Sequence, residues 1–375
     1  MVVNDHRLII AQVEKSIVDS RAMLAENLAW LKASMHPYFF FCNSEDVETV
    51  AVLASDLHLL QRNRRFTLAD NEKNFSIAQL GVPGALYSTL RSLPERPVAY
   101  VQLHTSYGLV PQTDFPLEVL EFDFNSPSDQ EDNPAGDHPA IPDEVVQAVL
   151  TEAAAKYGTS VASAMPALLD LLWRNKSKYV RTSPPQRITR LLWLFCQCRS
   201  LGGIFLDVEE GMGLAGIPES RVLFGVANPP VGGFLLQLFE VFKRLGLNVH
   251  RAYCLTLHEG EQPFFLATFY VSTQEGQLVD KDSPLFHQLR EEMYATQLMP
   301  TASLSYETFI GGGITNGPDA TLVRAFIGFC HTNLAHTHPD SFDYEGVSRA
   351  FHNHPELTLQ LVRFFHVRFD PRGQG

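Results

Sequence analysis

The chain has 375 residues, 45% of them hydrophobic and 19% charged, with a formal net charge of −13. Its densest basic spot is Arg62-Asn63-Arg64-Arg65, so an acidic surface without a basic stripe argues against a nucleic-acid partner. No apolar run reaches the roughly 18 residues that a bilayer span requires, which argues against a membrane partner.

The start, Met1-Val2-Val3-Asn4-Asp5-His6-Arg7, has no basic region leading into an apolar stretch and reads as no signal peptide. Cys42, Cys196, Cys198, Cys254 and Cys330 are odd in number and scattered, which fits reduced thiols in a cytoplasmic protein.

Leu8, Ile9, Val13, Ile17, Met23, Leu24, Leu28 and Leu31 recur at helical spacing over 5–35, and His36-Pro37 ends that helix. Tyr38 to Cys42 is a short apolar aromatic run, expected as a strand. Asn43-Ser44-Glu45-Asp46 offers cap chemistry for a helix reaching about Leu60. Then the rhythm changes. Asn74 to Leu80 alternates as a strand, Gly81-Val82-Pro83-Gly84 turns, and Ala85 to Leu93 is helical. Pro97 to Tyr107 and Leu117 to Phe124 complete a β-α-β-β order.

Residues 125–142 carry four prolines and almost nothing apolar, and read as a solvated linker. Two or three helices follow. Pro142 suits the first turn of one, and Ser183-Pro184-Pro185-Gln186 resembles a capping box for another that runs to about Arg199. After Gly202-Gly203, Ile204 to Val208 is a short strand. The β-α-β-β order then recurs: strand Arg221 to Ala227, turn Asn228-Pro229-Pro230-Val231-Gly232-Gly233, apolar helix Phe234 to Leu245, and strands Asn248 to Leu257 and Pro263 to Ser272. Pro284 to Met299 is helical. The section 301–375 is glycine-rich at first and helical afterwards.

The second of these units resembles an ACT domain, through the glycine turn before its helix and the step Leu245-Gly246-Leu247-Asn248-Val249 into its second strand. The first, with Val82-Pro83-Gly84-Ala85-Leu86, is a looser match and lacks the Gly-x-Asn step. Nearly the whole chain also resembles the region ahead of the catalytic domain in the large bacterial NAD-specific glutamate dehydrogenases. The residues carrying that likeness are Ala69-Asp70-Asn71-Glu72-Lys73, Pro83-Gly84-Ala85-Leu86-Tyr87, Leu117-Glu118-Val119-Leu120-Glu121-Phe122-Asp123-Phe124 and Leu361-Val362-Arg363-Phe364-Phe365-His366-Val367-Arg368-Phe369-Asp370-Pro371.

The expected fold class is therefore α+β, with two ACT-like βαββ modules of antiparallel sheet, flanked and separated by helical segments. The divisions are a helical segment 1–72, a first module 73–126, a linker and helical segment 127–215, a second module 216–300, and a helical segment 301–375 leading toward a catalytic domain that the chain lacks. The resemblance implies a regulatory and assembly role in oxidative deamination of glutamate to 2-oxoglutarate and ammonia. It implies a set of partners: the catalytic dehydrogenase domain in cis or in trans, a small amino acid, and further copies of the chain. A stand-alone amino-acid sensor acting on a separate partner is the alternative.

No catalytic residue is expected here. The parent chemistry needs a lysine in a glycine-rich pocket and a nucleotide fingerprint, yet no lysine follows Lys281, and Gly311-Gly312-Gly313-Ile314-Thr315-Asn316-Gly317 does not fit G-x-G-x-x-G. NAD would belong to the parent's catalytic domain, with no cofactor in this chain. The candidate ligand contacts are Asn228, Gly232 and Gly233 at the second turn and, more weakly, Pro83 and Gly84 at the first. Free N–H groups at a helix start can meet a carboxylate there, although a glycine that only permits tight packing is the plainer reading.

The late histidines, His331, His336, His338, His352, His354 and His366, raise a metal-dependent enzyme as a third possibility. Residues two apart do not share a helix face, however, and solvated or packing histidines with no metal site are the expectation. Cys196-Gln197-Cys198 lacks zinc or redox spacing and reads as core thiols. Asp207-Val208-Glu209-Glu210 reads as a solvated strand end.

Overall fold

In the computed structural model the described residues are 22–93, 97–124, 140–230, 233–296, 299, 303–338 and 341–369. They divide into two compact units, one within Met1–Pro229 and Gly246–Lys281, the other within Pro230–Leu245 and Asp282–Gly375.

The first unit opens with helix α1 (Ala22–Ser34), α2 (Pro37–Cys42) and α3 (Val47–Asp56). The expected strand at Tyr38 to Cys42 is thus a helix. Pro37 is preset for a first helical turn, and the His36 ring nitrogen accepts the Tyr38 N–H, which caps it. Phe39, Phe40 and Cys42 are all buried, which one short helix packed on several sides can achieve. Asp46 caps α3 by accepting the Thr49 N–H, as its sequence position suggests. A 3-10 turn (Leu57–Leu59) and α4 (Leu60–Asn63) complete the expected run to about residue 60. The part of the first predicted helix before residue 22 lies outside the described residues.

The strands are β1 (Arg65–Asp70), β2 (Asn74–Leu80), β3 (Val98–Leu109), β4 (Pro116–Phe124), β5 (Ile204–Met212), β6 (Pro218–Ala227), β7 (Leu247–Glu259) and β8 (Gln262–Thr273). They form one antiparallel sheet in the order β1-β2-β4-β3-β7-β8-β6-β5. Two departures from expectation follow. The first repeat gains an unexpected preceding strand, β1, hairpinned to β2, the counterpart of the expected strand β5 that is hairpinned to β6 ahead of the second repeat. The two expected small sheets are also a single sheet. The order reads the same from either edge: outer strand, first, third, second. The inner strands β3 and β7 then pair antiparallel, with Tyr100 opposite Leu255, Gln102 opposite Tyr253 and His104 opposite Arg251. Each strand would otherwise leave a row of unpaired backbone groups, and each satisfies the other's.

Cross-strand partners share a face. One face carries Ala78, Leu80, Leu117 and Val119 at one end, buried with Leu28, Leu31, Phe39 and Leu53 of the N-terminal helices. At its other end Leu223, Leu255, Leu257 and Leu266 are buried with α6 (Asp143–Tyr157), α7 (Thr159–Arg181) and α8 (Pro185–Leu201). No side chain caps α8, so the expected Ser183 capping box does not form and Pro184 stands at the cap position. On the opposite face lies α5 (Ala85–Arg91), tied to the sheet by a chain in which Thr89 donates to Gln79 and Gln79 donates to Glu118.

The second unit contains α9 (Phe234–Arg244), α10 (Pro284–Ala295), a π-helical turn at Tyr306–Gly311, α11 (Gly317–Thr337), α12 (Tyr344–Asn353) and α13 (Pro355–Phe369). Arg244 of α9 binds Glu292 of α10 at 2.7 Å, and that carboxylate also accepts the Gly317 N–H that opens α11. A core of Phe309, Ile310, Val323, Ile327, Val347 and Val362 joins the later helices. No described helix is long and apolar enough to cross a membrane.

Candidate functional site

The two predicted turns share one backbone feature. Gly84 has φ +88° at the start of α5, and Gly233 has φ +63° at the start of α9. An L side chain is disfavoured in that left-handed region, which accounts for glycine at both places. Neither helix start has a side-chain cap. At the first turn the Ala85 N–H is already spent on Val82 O. At the second, Asn228 has φ +53° and donates its N–H to Pro263 O. Asn228 belongs to the first unit and Gly233 to the second. Gly232 lies outside the described residues.

A polar cluster that the sequence reading did not single out lies where the two helical cores meet over the sheet. Period-two alternation puts Glu219 and Arg221 of β6, Arg251 and Tyr253 of β7, Tyr270 of β8 and His104 of β3 on one face. Helices supply Tyr38, Cys42, Arg187 and Arg190 against them. Arg251 pairs with Glu219 at 2.5 Å, donates to Met212 O at 2.9 Å, and sits 3.8 Å from the centre of the Tyr270 ring. The Tyr107 hydroxyl also donates to Glu219. A Cβ at Gly213 would come within 2.6 Å of that carboxylate, so this close approach needs glycine.

Arg187 is held differently. It donates to the Cys42 Sγ at 3.0 Å and the Tyr100 hydroxyl at 2.9 Å, and its guanidinium stacks 3.6 Å from the Tyr253 ring centre. Arg190 and Arg221 both face Glu209, at 3.7 and 3.0 Å, where Lys156 joins them at 3.1 Å. Glu209 therefore closes one end of an arginine cluster, which corrects the reading of 207–210 as a solvated strand end. Asp207 does pair outward, with Lys281.

Electrostatics follow from this crowding. Burial pushes the Tyr270 phenol up, but Arg190, Arg221 and Arg251 outweigh it and leave its pKa below the ordinary tyrosine value. Burial, then the nearby Arg251 charge, lowers His36 to about 3. Burial and the same arginine hold His104 neutral, wedged between the Phe39 and Tyr253 rings. Burial raises the Cys42 thiol, against the pull of Arg187. Neutral imidazoles and a thiol kept protonated are a poor set for nucleophilic or acid–base work. A dense array of guanidiniums and phenols is suited to holding negative charge.

Of the histidines of the C-terminal section, His352 and His366 are held by polar neighbours, while His336, His338 and His354 are exposed. His352 is buried, with one ring nitrogen on the Ser305 hydroxyl at 2.9 Å and the other on Ser348 O at 2.6 Å. His366 bonds to Asp319 at 2.7 Å. Among the described residues no group of three His, Cys, Asp or Glu side chains is placed to hold a metal. Cys198 is a core thiol directed at Gly203 O, and Cys196 is half-buried beside the same core.

No protein-family model matches this chain, and no curated protein does so either.

Proposed function

We propose that the chain is a regulatory and assembly segment of an NAD-dependent glutamate dehydrogenase, sensing a small amino acid through its paired repeats. The observation that carries this reading is the edge-to-edge pairing of β3 with β7. It joins two repeats of like topology into one sheet, the kind of junction at which ACT-like modules share ligands. The left-handed glycines opening α5 and α9 support it, because in both repeats a glycine with positive φ stands directly before the helix. Catalysis and NAD binding belong, on this reading, to a dehydrogenase domain acting in cis or in trans, in a cytoplasmic homo-oligomer.

A thermal-shift titration of the purified chain against the common amino acids tests the sensing role. A ligand at ten times its dissociation constant adds about 1.4 kcal/mol of stability, a readily visible rise in midpoint. The same amino acid should then change the rate of glutamate-dependent NADH formation by a dehydrogenase that carries this segment, and leave one without it unaffected. An amino acid that binds the chain but leaves both rates alike would favour a stand-alone sensor.

A further inference from the structure

The cluster beneath the β3–β7 junction holds more positive charge than its own carboxylates balance. Arg187, Arg190, Arg221 and Arg251 converge there, and the carboxylates bonded to or facing them among the described residues are Glu209 and Glu219. Glu209 is shared with Lys156 as well. Arg187 spends its bonds on a thiol and a phenol. Buried cations need compensation by negative charge or by a full set of hydrogen bonds.

The hydrogen bonds are incomplete in the same place. The Arg251 Nε and Nη1, the Arg221 Nε and the Tyr253 hydroxyl are buried with no hydrogen-bond partner among the described residues, and the Arg190 Nε faces Glu209 only at ion-pair distance. Arg251 is only 1% exposed, and buried donors are almost always satisfied. The Arg251 guanidinium lies 3.8 Å from the centre of the Tyr270 ring, and Tyr253 follows it two positions along β7 on the same face. Arg221, 15% exposed, brings the cluster toward the surface beside Glu209.

We propose that this cluster is a binding site for one small oxyanion, a carboxylate or inorganic phosphate, taken by the spare N–H groups of Arg251 and the Tyr253 hydroxyl. Arginine's planar fork suits both anions, and a phenol in hydrogen-bond reach adds a neutral donor. The site is distinct from the glycine turns and does not depend on the family reading.

Tyr253→Phe is the informative variant. It removes an unpartnered hydroxyl and keeps the ring on which Arg187 stacks, so the fold should survive. The midpoint of the wild-type chain should rise saturably with sodium phosphate or with L-glutamate, at ionic strength fixed with sodium chloride. Equilibrium dialysis should find one bound anion per chain. In Tyr253→Phe the affinity should fall by about fivefold, the scale of one lost hydrogen bond. A response to glutamate alone identifies a carboxylate ligand, and a response to phosphate alone identifies phosphate. If neither anion binds, or if wild type and Tyr253→Phe respond alike, the cluster is only structural and the proposal is overturned. A neutral amino acid held at the glycine turns would be indifferent to Tyr253→Phe, so the two readings fail separately.

Discussion

The guanidinium of Arg251 and the carboxylate of Glu219 form an ion pair whose side chains are 1% and 2% exposed, joining β7 to β6 across β8. Water screens such a pair very little, so removing one partner strands the other. Glu219→Ala should destabilise the chain by about 3–5 kcal/mol in denaturant unfolding. The double variant Arg251→Met, Glu219→Leu should lose less than Glu219→Ala alone, because no buried charge is left uncompensated. A double variant weaker than the single would mean that the pair is net stabilising rather than merely costly to break.

Glu118 gives a pH signature of opposite sign to ordinary acid denaturation. Burial pushes its carboxyl up to about 7, against the bond it accepts from Gln79. Between the ordinary glutamate value and about 7 the folded chain therefore holds a proton that the unfolded chain has released. The contribution of this group is complete at low pH, falls as pH rises through that window, and is constant above it. Glu118→Gln keeps an acceptor for Gln79 and removes the titration. Relative to wild type, the variant should gain on the order of 1 kcal/mol between pH 5 and pH 8, a modest value because the side chain is partly exposed. A stability difference that does not change with pH would show that Glu118 is ionised throughout.

Helix α9 puts Leu238 and Phe242, four residues apart, on one apolar face, and both are fully buried. Phe242→Ala should cost about 3–5 kcal/mol by the loss of buried area and the cavity left behind. Urea titration followed by circular dichroism measures it. A loss under about 1 kcal/mol would mean that this face relaxes into the space or is open to water.

The isolated chain should form no NADH from glutamate and NAD above a boiled control. The ground is the sequence: no lysine follows Lys281, and the glycine run at 311–317 lacks the nucleotide fingerprint. Glutamate-dependent turnover by the pure chain would contradict both the missing-machinery argument and the regulatory role.

Most strands were legible because period-two alternation is a local signal, visible at Phe75 and Ile77 or at Val222, Phe224 and Val226 without knowing what they pack against. The glycines at 84 and 233 were legible for a similar reason, since a left-handed turn before a helix is a property of a few residues. The short aromatic run Tyr38 to Cys42 was ambiguous, because five apolar residues fit either period and only the capping His36 and the surrounding core select the helix. The joining of two repeats into one sheet could not be read locally, because it depends on the β3 and β7 edges satisfying each other's backbone groups across the whole middle of the chain. The arginine cluster is the clearest case. Cys42 meets Arg187 across 145 residues of sequence, and Arg251 meets Glu219 across 32. In the sequence each is an isolated charge or thiol with a surface reading as good as any other. Tertiary structure brings them into one buried cluster, where burial turns ordinary side chains into a site of concentrated charge.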